Sequence, residues 1–195
     1  MKLKLLIFLP FALLLCITAC QNHDYSPKPK SYFRIYYPAR SYQKFTSNAP
    51  FTFEYPVYGK IEPYVGRDAQ PFWYNLHFPQ FNGYIHLTYH GVAGKPEYDR
   101  LLEYTRELAF KHTIKASAID QKLINYPDHK VYGIYYAIEG NTASSVQFFL
   151  TDSAKHYFRG ALYFNERPQY DSIAPVINFI KKDIDKLIST FRWKN

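Results

Sequence analysis

Three residues that could form a nucleophilic device lie within five positions of one another. Asp152, Ser153 and His156 belong to the stretch VQFFLTDSAKHYFRGALYF, which runs from Val146 to Phe164. A serine, a histidine base and a carboxylate are the groups of a catalytic triad, which attacks acyl carbon atoms. Such a device also needs an oxyanion site, and nothing around Ser153 resembles a nucleophile elbow. The composition of TDSAK instead predicts the tip of a hairpin.

The direction of the following strand strengthens this interpretation. Alternation along the strand places His156 on the same face as Phe158, Gly160 and Leu162. The imidazole is therefore directed away from Ser153, and we predict no catalytic residue here.

Two further histidines suggest a metal site by their spacing. His86 and His90, in HLTYH, have the i, i+4 spacing of a zinc-binding helix, but the aromatic residues around them predict a strand. Four residues of strand would separate the imidazoles by about 13 Å, too far for one tetrahedral ion. His77, His112 and His129 are dispersed singly, and the glycines form no phosphate-binding loop. We predict no metal and no cofactor.

The elements that must carry these residues begin with strands and a helix. Strand composition appears in three early segments, of which the last two flank the turn-like PQFNG and predict a hairpin. The three segments are FTFEY (Phe51 to Tyr55), FWYNLHF (Phe72 to Phe78) and YIHLTYH (Tyr84 to His90). Helical spacing then runs from Pro96 to about His112. The predicted buried stripe is Tyr98, Leu101, Leu102, Thr105, Leu108 and Ala109.

The second half of the chain predicts a meander and a closing helix. QKLINY, KVYGIYYAI, SSVQFFLTD and KHYFRGALYF are separated by short turn-like segments, which predicts about four antiparallel strands. The last segment predicts a helix from Asp171, the predicted N-cap, to about Phe191. Its predicted buried face is Val176, Ile177, Ile180, Ile184, Leu187, Ile188 and Phe191.

Several predicted strands are apolar on both faces, among them YGIYYAI and VQFFL. Both faces of the sheet must then be covered, which predicts an α+β fold in which helices flank an antiparallel sheet. We expect a three-layer α/β/α sandwich. The order of elements is similar to the Mog1/PsbP-like architecture, a likeness of fold alone.

The N-terminus has the pattern of an export signal that ends in a lipid anchor. Lys2 and Lys4 precede the apolar run LLIFLPFALLLCI, which is short for a membrane span. Cys20 follows Ile-Thr-Ala and resembles a bacterial lipobox, whereas Cys16 follows three leucines. We predict a signal peptide over residues 1–19 and lipidation of Cys20; the alternative is an ordinary signal peptide with an incidental cysteine.

Cleavage before Cys20 would leave 176 residues (195 minus 19) and no second thiol for a disulfide. The polar, proline-containing residues 20–30 predict an anchor and tether that reaches up to roughly 30 Å. Residues 31–195 then form a single domain. Loss of Lys2 and Lys4 lowers the formal charge from +8 to about +6. This charge suits anionic lipid head groups, and we predict no nucleic acid partner.

A family resemblance covers nearly the whole mature chain. It rests on PKPKSYFRIYYP, PFTFEYP, WYNLHFPQFNGYIHLTYH, KHTIKASAI and, above all, the fifty residues from Val131 to Ile180. These segments resemble the gliding motility lipoprotein GldD family of the Bacteroidota. The resemblance implies an accessory lipoprotein needed by the gliding machinery and the associated type IX secretion system. It also implies work alongside a membrane protein, GldE, and it supplies no catalytic residues.

Two classes of function follow from these observations. The favoured one is a binding and assembly subunit, because tyrosine-rich surfaces suit protein interfaces. The alternative is an envelope enzyme or small-ligand-binding lipoprotein. We predict a partner surface at Tyr32, Phe33, Arg34 and Tyr36, beside the tether. The absence of an acidic run after Cys20 favours a periplasm-facing position, and either envelope membrane is compatible with the sequence.

Overall fold

A computed structural model describes residues 34–166 and 169–194. The chain divides into two compact units, residues 1–36 and 37–195, and only residues 34–36 of the first are described. Cys20, Tyr32 and Phe33 lie outside the described residues. The predicted boundaries of signal peptide, tether and domain therefore stay predictions.

The described chain runs through six strands, an α-helix, four strands, a second α-helix and a last short strand. The strands are β1 Tyr42–Lys44, β2 Phe51–Thr52, β3 Glu54–Pro56, β4 Lys60–Pro63, β5 Tyr74–Phe78, β6 Gly83–Gly91, β7 Ala116–Tyr126, β8 Val131–Gly140, β9 Ser144–Thr151, β10 His156–Phe164 and β11 Arg192–Trp193. The helices are α1 Lys95–Phe110 and α2 Tyr170–Thr190. Seven strands form one antiparallel sheet in the order β4-β5-β6-β10-β9-β8-β7.

The local elements match the sequence predictions closely. β5 and β6 form the predicted hairpin, which turns through Pro79–Phe81 and through Asn82 in the left-handed region. β7 to β10 form the predicted four-stranded meander, although β7 begins at Ala116 rather than Gln121. The helix predicted from Pro96 is α1, which buries Leu101, Thr105 and Ala109.

A long-range pairing joins the hairpin to the meander. β10 lies between β6 and β9, and its register with β6 runs from His156 opposite Gly91 to Phe164 opposite Gly83. β10 is therefore the central strand, so the tip predicted at TDSAK lies at one end of the sheet.

The two helices cover opposite faces of the sheet. On one face, α1 packs through Leu101 against Phe149 and Tyr157. On the other face, α2 packs against a core that includes Phe148 and Phe158. Since Phe148 and Phe149 are neighbours in one strand, their side chains point to opposite faces. The predicted three-layer sandwich is confirmed.

FTFEY, predicted as one strand, divides between two small sheets. β2 pairs with β11, and β3 pairs with β1, while Phe53 between them is buried. These pairings hold the residues before β4 and the C-terminal residues against the same core.

α2 begins differently from the prediction. Gln169, not Asp171, occupies the N-cap position, and Asp171 lies in the first helical turn. A carboxylate there still faces the positive end of the helix dipole. Ile177, Ile180, Ile184, Leu187 and Ile188 are buried as predicted, and the buried stripe also includes Asp183. Among the described residues, neither helix combines the length and apolarity that a membrane span requires.

Candidate functional site

The hairpin tip between β9 and β10 is built around the Asp152 carboxylate. Its Oδ1 accepts the backbone N–H groups of Ala154, Lys155 and His156 at 3.0, 2.8 and 2.9 Å. Ser153 adopts a left-handed backbone conformation with φ 65°, as a residue at a tight turn can. The predicted tip is confirmed, and Asp152 serves to close the turn.

The electrostatics of Asp152 agree with this structural role. Partial burial alone would raise its pKa, but the three backbone N–H groups outweigh burial and hold the pKa below its ordinary value. The carboxylate is therefore ionised at neutral pH, and its stabilising bonds depend on that charge.

The His156 side chain contacts two aromatic neighbours. Its Nδ1 lies 2.7 Å from the Tyr89 hydroxyl oxygen, and its ring stacks on Trp193 with centroids 5.0 Å apart and planes at 17°. As predicted, His156 turns toward the face that carries Phe158, away from the exposed Ser153. Asp152, Ser153 and His156 thus form a turn and its packing.

A wide cleft of about 1130 Å³ opens beside this tip. We call it the basic end cleft. It is lined by Ser47, Asn48, Ala49, Pro50, Asp128, His129, Lys130, Asp152, Ala154, Lys155, His156, Arg192, Trp193 and Lys194. Four lining residues are lysine or arginine and two are acidic, one of them the hydrogen-bonded Asp152. Positive charge around an aromatic floor is suited to an acidic partner.

Bonds from distant parts of the chain hold the walls of the basic end cleft. The Trp193 indole donates to the Lys130 carbonyl at 3.0 Å. Lys194 donates through its backbone N–H to the Pro50 carbonyl at 2.8 Å and through Nζ to the Ser47 carbonyl at 2.6 Å. These contacts join the C-terminal residues to two turns and give the cleft a defined shape.

A second polar cluster surrounds the buried carboxylate of Asp183 on α2. Asp183 is 2% exposed and accepts hydrogen bonds from Tyr42 at 3.0 Å and Tyr58 at 2.5 Å. Arg40 Nε lies 3.5 Å from Oδ1, and the Arg40 guanidinium also packs over Phe179 at 4.2 Å. This Asp183 cluster fastens the residues around β1 to α2.

Burial and hydrogen bonding have opposite effects on the pKa of Asp183. Burial raises the pKa of Asp183 despite the hydrogen bonds from Tyr58 and Tyr42 and the charge of Arg40. Burial, and then the Asp183 carboxylate, raise the pKa of Tyr42 to about 12 and raise that of Tyr58 further. Both tyrosines are therefore hydroxyl donors at any physiological pH.

The predicted partner surface beside the tether is only partly described. The Arg34 guanidinium lies 4.9 Å from the centroid of the Tyr36 ring, and Tyr36 is 69% exposed. Tyr32 and Phe33, the other two residues of that prediction, lie outside the described residues.

His86 and His90 lie on β6, so the predicted strand is confirmed. The Trp73 ring contacts both imidazoles, at centroid distances of 5.9 and 5.6 Å. Burial first, and nearby arginine charge second, lower the pKa of each histidine. Within residues 34–166 and 169–194, no group of three potential ligands could hold a metal ion.

Sequence reasoning missed two buried charged residues. Asp183 lies three residues after Ile180 on the apolar stripe of α2, and Arg159 interrupts the apolar strand β10. Arg159 is 9% exposed and donates to Gln147 Oε1 at 2.7 Å, and its buried Nε has no hydrogen-bond partner among the described residues. Leaving a buried donor unsatisfied costs about 1–3 kcal/mol. In both cases, the feature of the sequence that could have indicated a buried charge was a charged residue inside an apolar pattern.

Comparison with known structures identifies the fold. The solution structure of cyanobacterial PsbP (CyanoP) from Synechocystis sp. PCC 6803 matches with a TM-score of 0.50 and 10% sequence identity. The match covers 80% of this chain and 94% of that chain. At this identity the likeness concerns the fold, and the predicted PsbP-like architecture is confirmed.

Comparison of sequences identifies the family. No curated protein matches the chain. The family described as gliding motility lipoprotein GldD matches over residues 22–193, which is nearly the whole chain. Membership of a lipoprotein family implies a membrane-anchored protein of the cell envelope. The chain belongs to the gliding motility lipoprotein GldD family.

Proposed function

We propose that this chain is an accessory lipoprotein of the gliding and type IX secretion machinery that acts by binding and assembly. The observation that carries this proposal is the basic end cleft, where Asp152 and His156 are both engaged in structural contacts. Membership of the family indicates a role in gliding motility. The cleft has the charged and aromatic side chains that a binding surface needs.

The arrangement of charge in the cleft supports an acidic protein partner. Lys130 and Lys155 are exposed at the rim, and Trp193 provides an amphipathic ring between them and the core. Tryptophan and arginine are enriched at interface centres, and Trp193 and Arg192 both line this depression. Rim charges would mainly accelerate association and select the partner. The resemblance suggests a GldE-like membrane protein as one such partner.

The anchor raises the efficiency of weak binding. Lipidation at Cys20, followed by the tether of residues 20–30, would confine the domain of residues 31–195 to a thin layer above a membrane. Tethering of this kind raises the effective concentration toward membrane partners without any new contact. We place the domain in the periplasm, and no nucleic acid, metal or cofactor takes part in this function.

Arg34 and Tyr36, together with Tyr32 and Phe33, form a second candidate contact surface. The stacked arginine and exposed tyrosine are residue types that interfaces favour. Their position beside the tether would bring a partner close to the membrane.

Charge reversal in the cleft tests the proposal. We expect Lys130→Glu combined with Lys155→Glu to stop gliding and secretion while the protein remains abundant and lipidated. Lys182→Glu, an exposed lysine on α2, is the matched control and should leave both activities intact. Normal gliding in the double variant would contradict the cleft as the binding surface. Turnover of an envelope compound by the purified chain would favour the alternative, an enzyme or ligand-binding lipoprotein.

A further inference from the structure

Arg159 places a positive charge in the middle of the sheet. It lies on β10, the central strand, opposite Thr88 on β6 and Phe149 on β9. Tyr157, two residues earlier on the same face, donates to the Leu101 carbonyl of α1 at 3.3 Å. Arg159 therefore lies on the sheet face that α1 covers, and not in the basic end cleft.

The hydrogen-bonding capacity of Arg159 exceeds what its neighbours use. Nη2 donates to Gln147 Oε1 at 2.7 Å, whereas Nε is buried and finds no hydrogen-bond partner in the part of the chain that the structure describes. Among the described residues, no aspartate or glutamate forms an ion pair with this guanidinium. Buried arginines are otherwise paired with carboxylates or similar groups, because an uncompensated buried charge is unfavourable.

The groups around Arg159 are neutral or basic. Two histidines lie near Arg159: His86 on β6, and His112 in the turn Lys111–Ile114 after α1. Burial first, and the charge of Arg159 second, lower the pKa of each. His86 Nδ1 is 2.8 Å from Asn75 Oδ1. The Asp68 carboxylate acts on His86 from a distance and accepts the Tyr64 hydroxyl at 3.1 Å.

One aromatic side chain covers the approach to this position. Trp73 contacts His86 and His90, which flank Thr88 on the same face. The indole therefore spans Thr88, the register neighbour of Arg159. The backbone of Phe72, immediately before it, has φ 65°, a strained conformation for a bulky residue. A shift of Trp73 would admit a small group to the guanidinium.

We propose that Arg159, with Gln147, Thr88, His86 and His112 around it, forms a binding site for a carboxylate group. The planar guanidinium matches the two oxygens of a carboxylate, and Nε supplies a donor that no group within residues 34–166 and 169–194 uses. The carboxylate could belong to a small free acid or to an acidic side chain of a bound protein. This site is separate from the basic end cleft, so either can fail without the other.

Nuclear magnetic resonance of the arginine Nε–Hε groups tests the site directly. The full-length chain in detergent micelles is titrated with succinate, and separately with a tetraglutamate peptide at matched carboxylate concentration. Sodium chloride at equal ionic strength is the blank. The Arg159 signal is assigned by its loss in Arg159→Lys. We expect a saturable shift of this signal, whereas that of the exposed Arg106, which pairs with Glu103, stays unchanged.

Arg159→Lys keeps the charge and removes the Nε donor and the planar fork. We expect about ten- to a hundredfold weaker binding, measured by the shift of the thermal midpoint with ligand. Arg106→Lys should bind as the unmodified chain does. A stronger response to succinate identifies a small acid as the source, and a stronger response to tetraglutamate identifies an acidic chain.

An Arg159 signal that neither probe moves would overturn the proposal. So would a shift that sodium chloride reproduces or one that Arg106 shares. If Arg159→Lys fails to fold, the Nε–Hε signal is assigned instead by through-bond correlation to the backbone of Arg159. The titration of the unmodified chain then still decides, with Arg106 as the internal reference.

Discussion

The Tyr58 hydroxyl donates to Asp183 Oδ2 across 2.5 Å, which joins the segment between β3 and β4 to the middle of α2. Tyr42 and Arg40 reach the other oxygen of the same carboxylate. One buried side chain thus gathers three groups from the first described residues of the larger unit. The Asp183 cluster therefore links residues that precede β4 to α2.

Removing the shared acceptor should destabilise the domain. Asp183→Ala leaves two tyrosine hydroxyls and Arg40 without their carboxylate, and we expect a loss of about 2–4 kcal/mol in the free energy of unfolding. Urea denaturation of the purified chain measures this loss. Asp185→Ala, an exposed position on the same helix, is the control and should change little. Equal stability of the two variants would contradict the role of the Asp183 cluster.

The hairpin tip should give the stability a measurable pH dependence. The folded-state pKa of Asp152 lies below its unfolded value, because backbone N–H groups stabilise the carboxylate. Its contribution is therefore present above the unfolded pKa, about 3.9, and is lost as pH falls through the folded pKa. We expect Asp152→Asn to lose less stability than the unmodified chain on acidification.

Ser153→Ala is the control for the tip. The Ser153 side chain is exposed and takes no part in the bonds that close the turn, so this variant should keep the original acid profile, gliding and secretion. A folded but inactive Ser153→Ala protein would instead revive an enzymatic interpretation of the tip.

Close packing at Gly160 should make this position intolerant of side chains. A Cβ atom there would lie 2.3 Å from the ring of Phe148, which is buried in the core. We expect Gly160→Val to lower the free energy of unfolding by about 1–3 kcal/mol or more. Gly91→Ala, at the exposed end of β6, has open space for its Cβ and should be tolerated. A stable Gly160→Val variant would show that β10 packs differently.

The lipid anchor is tested by two cysteine variants. Since small residues precede Cys20 and leucines precede Cys16, we expect Cys20→Ala to abolish incorporation of a radioactive fatty acid and Cys16→Ala to retain it. Equal label in both variants would remove the prediction that Cys20 is the lipidated residue. An exported but unanchored Cys20→Ala protein should also support gliding poorly.

The sequence predicted the elements whose signals are local. The stripe of α1 through Leu101 and Thr105 and the turn at Asp152 depend on residues a few positions apart. The pairing of β10 with β6 and that of β11 with β2 join distant segments, and no local pattern encodes them. They emerge only when the whole core is assembled.

For the candidate sites, too, the sequence predicted local features but not those that join distant segments. The sequence predicted the turn at Ser153, because turn composition is a local property. It did not reveal the roles of Asp183 and Arg159, because each is a single charge within an apolar pattern and the partners of each side chain come from other segments of the chain. The basic end cleft was also unforeseen, since its walls come from four separate turns and termini.

Crosslinking from the basic end cleft in living cells tests the central claim most directly. A photoreactive residue in place of Lys155, in the anchored full-length protein, is activated by light, and the products are purified and identified by mass spectrometry. We expect recovery of a GldE-like membrane protein or of secretion-machine components, and little of either from the same residue in place of Lys182. Recovery of only a small envelope metabolite, or equal products from both positions, would contradict a binding and assembly role for this cleft.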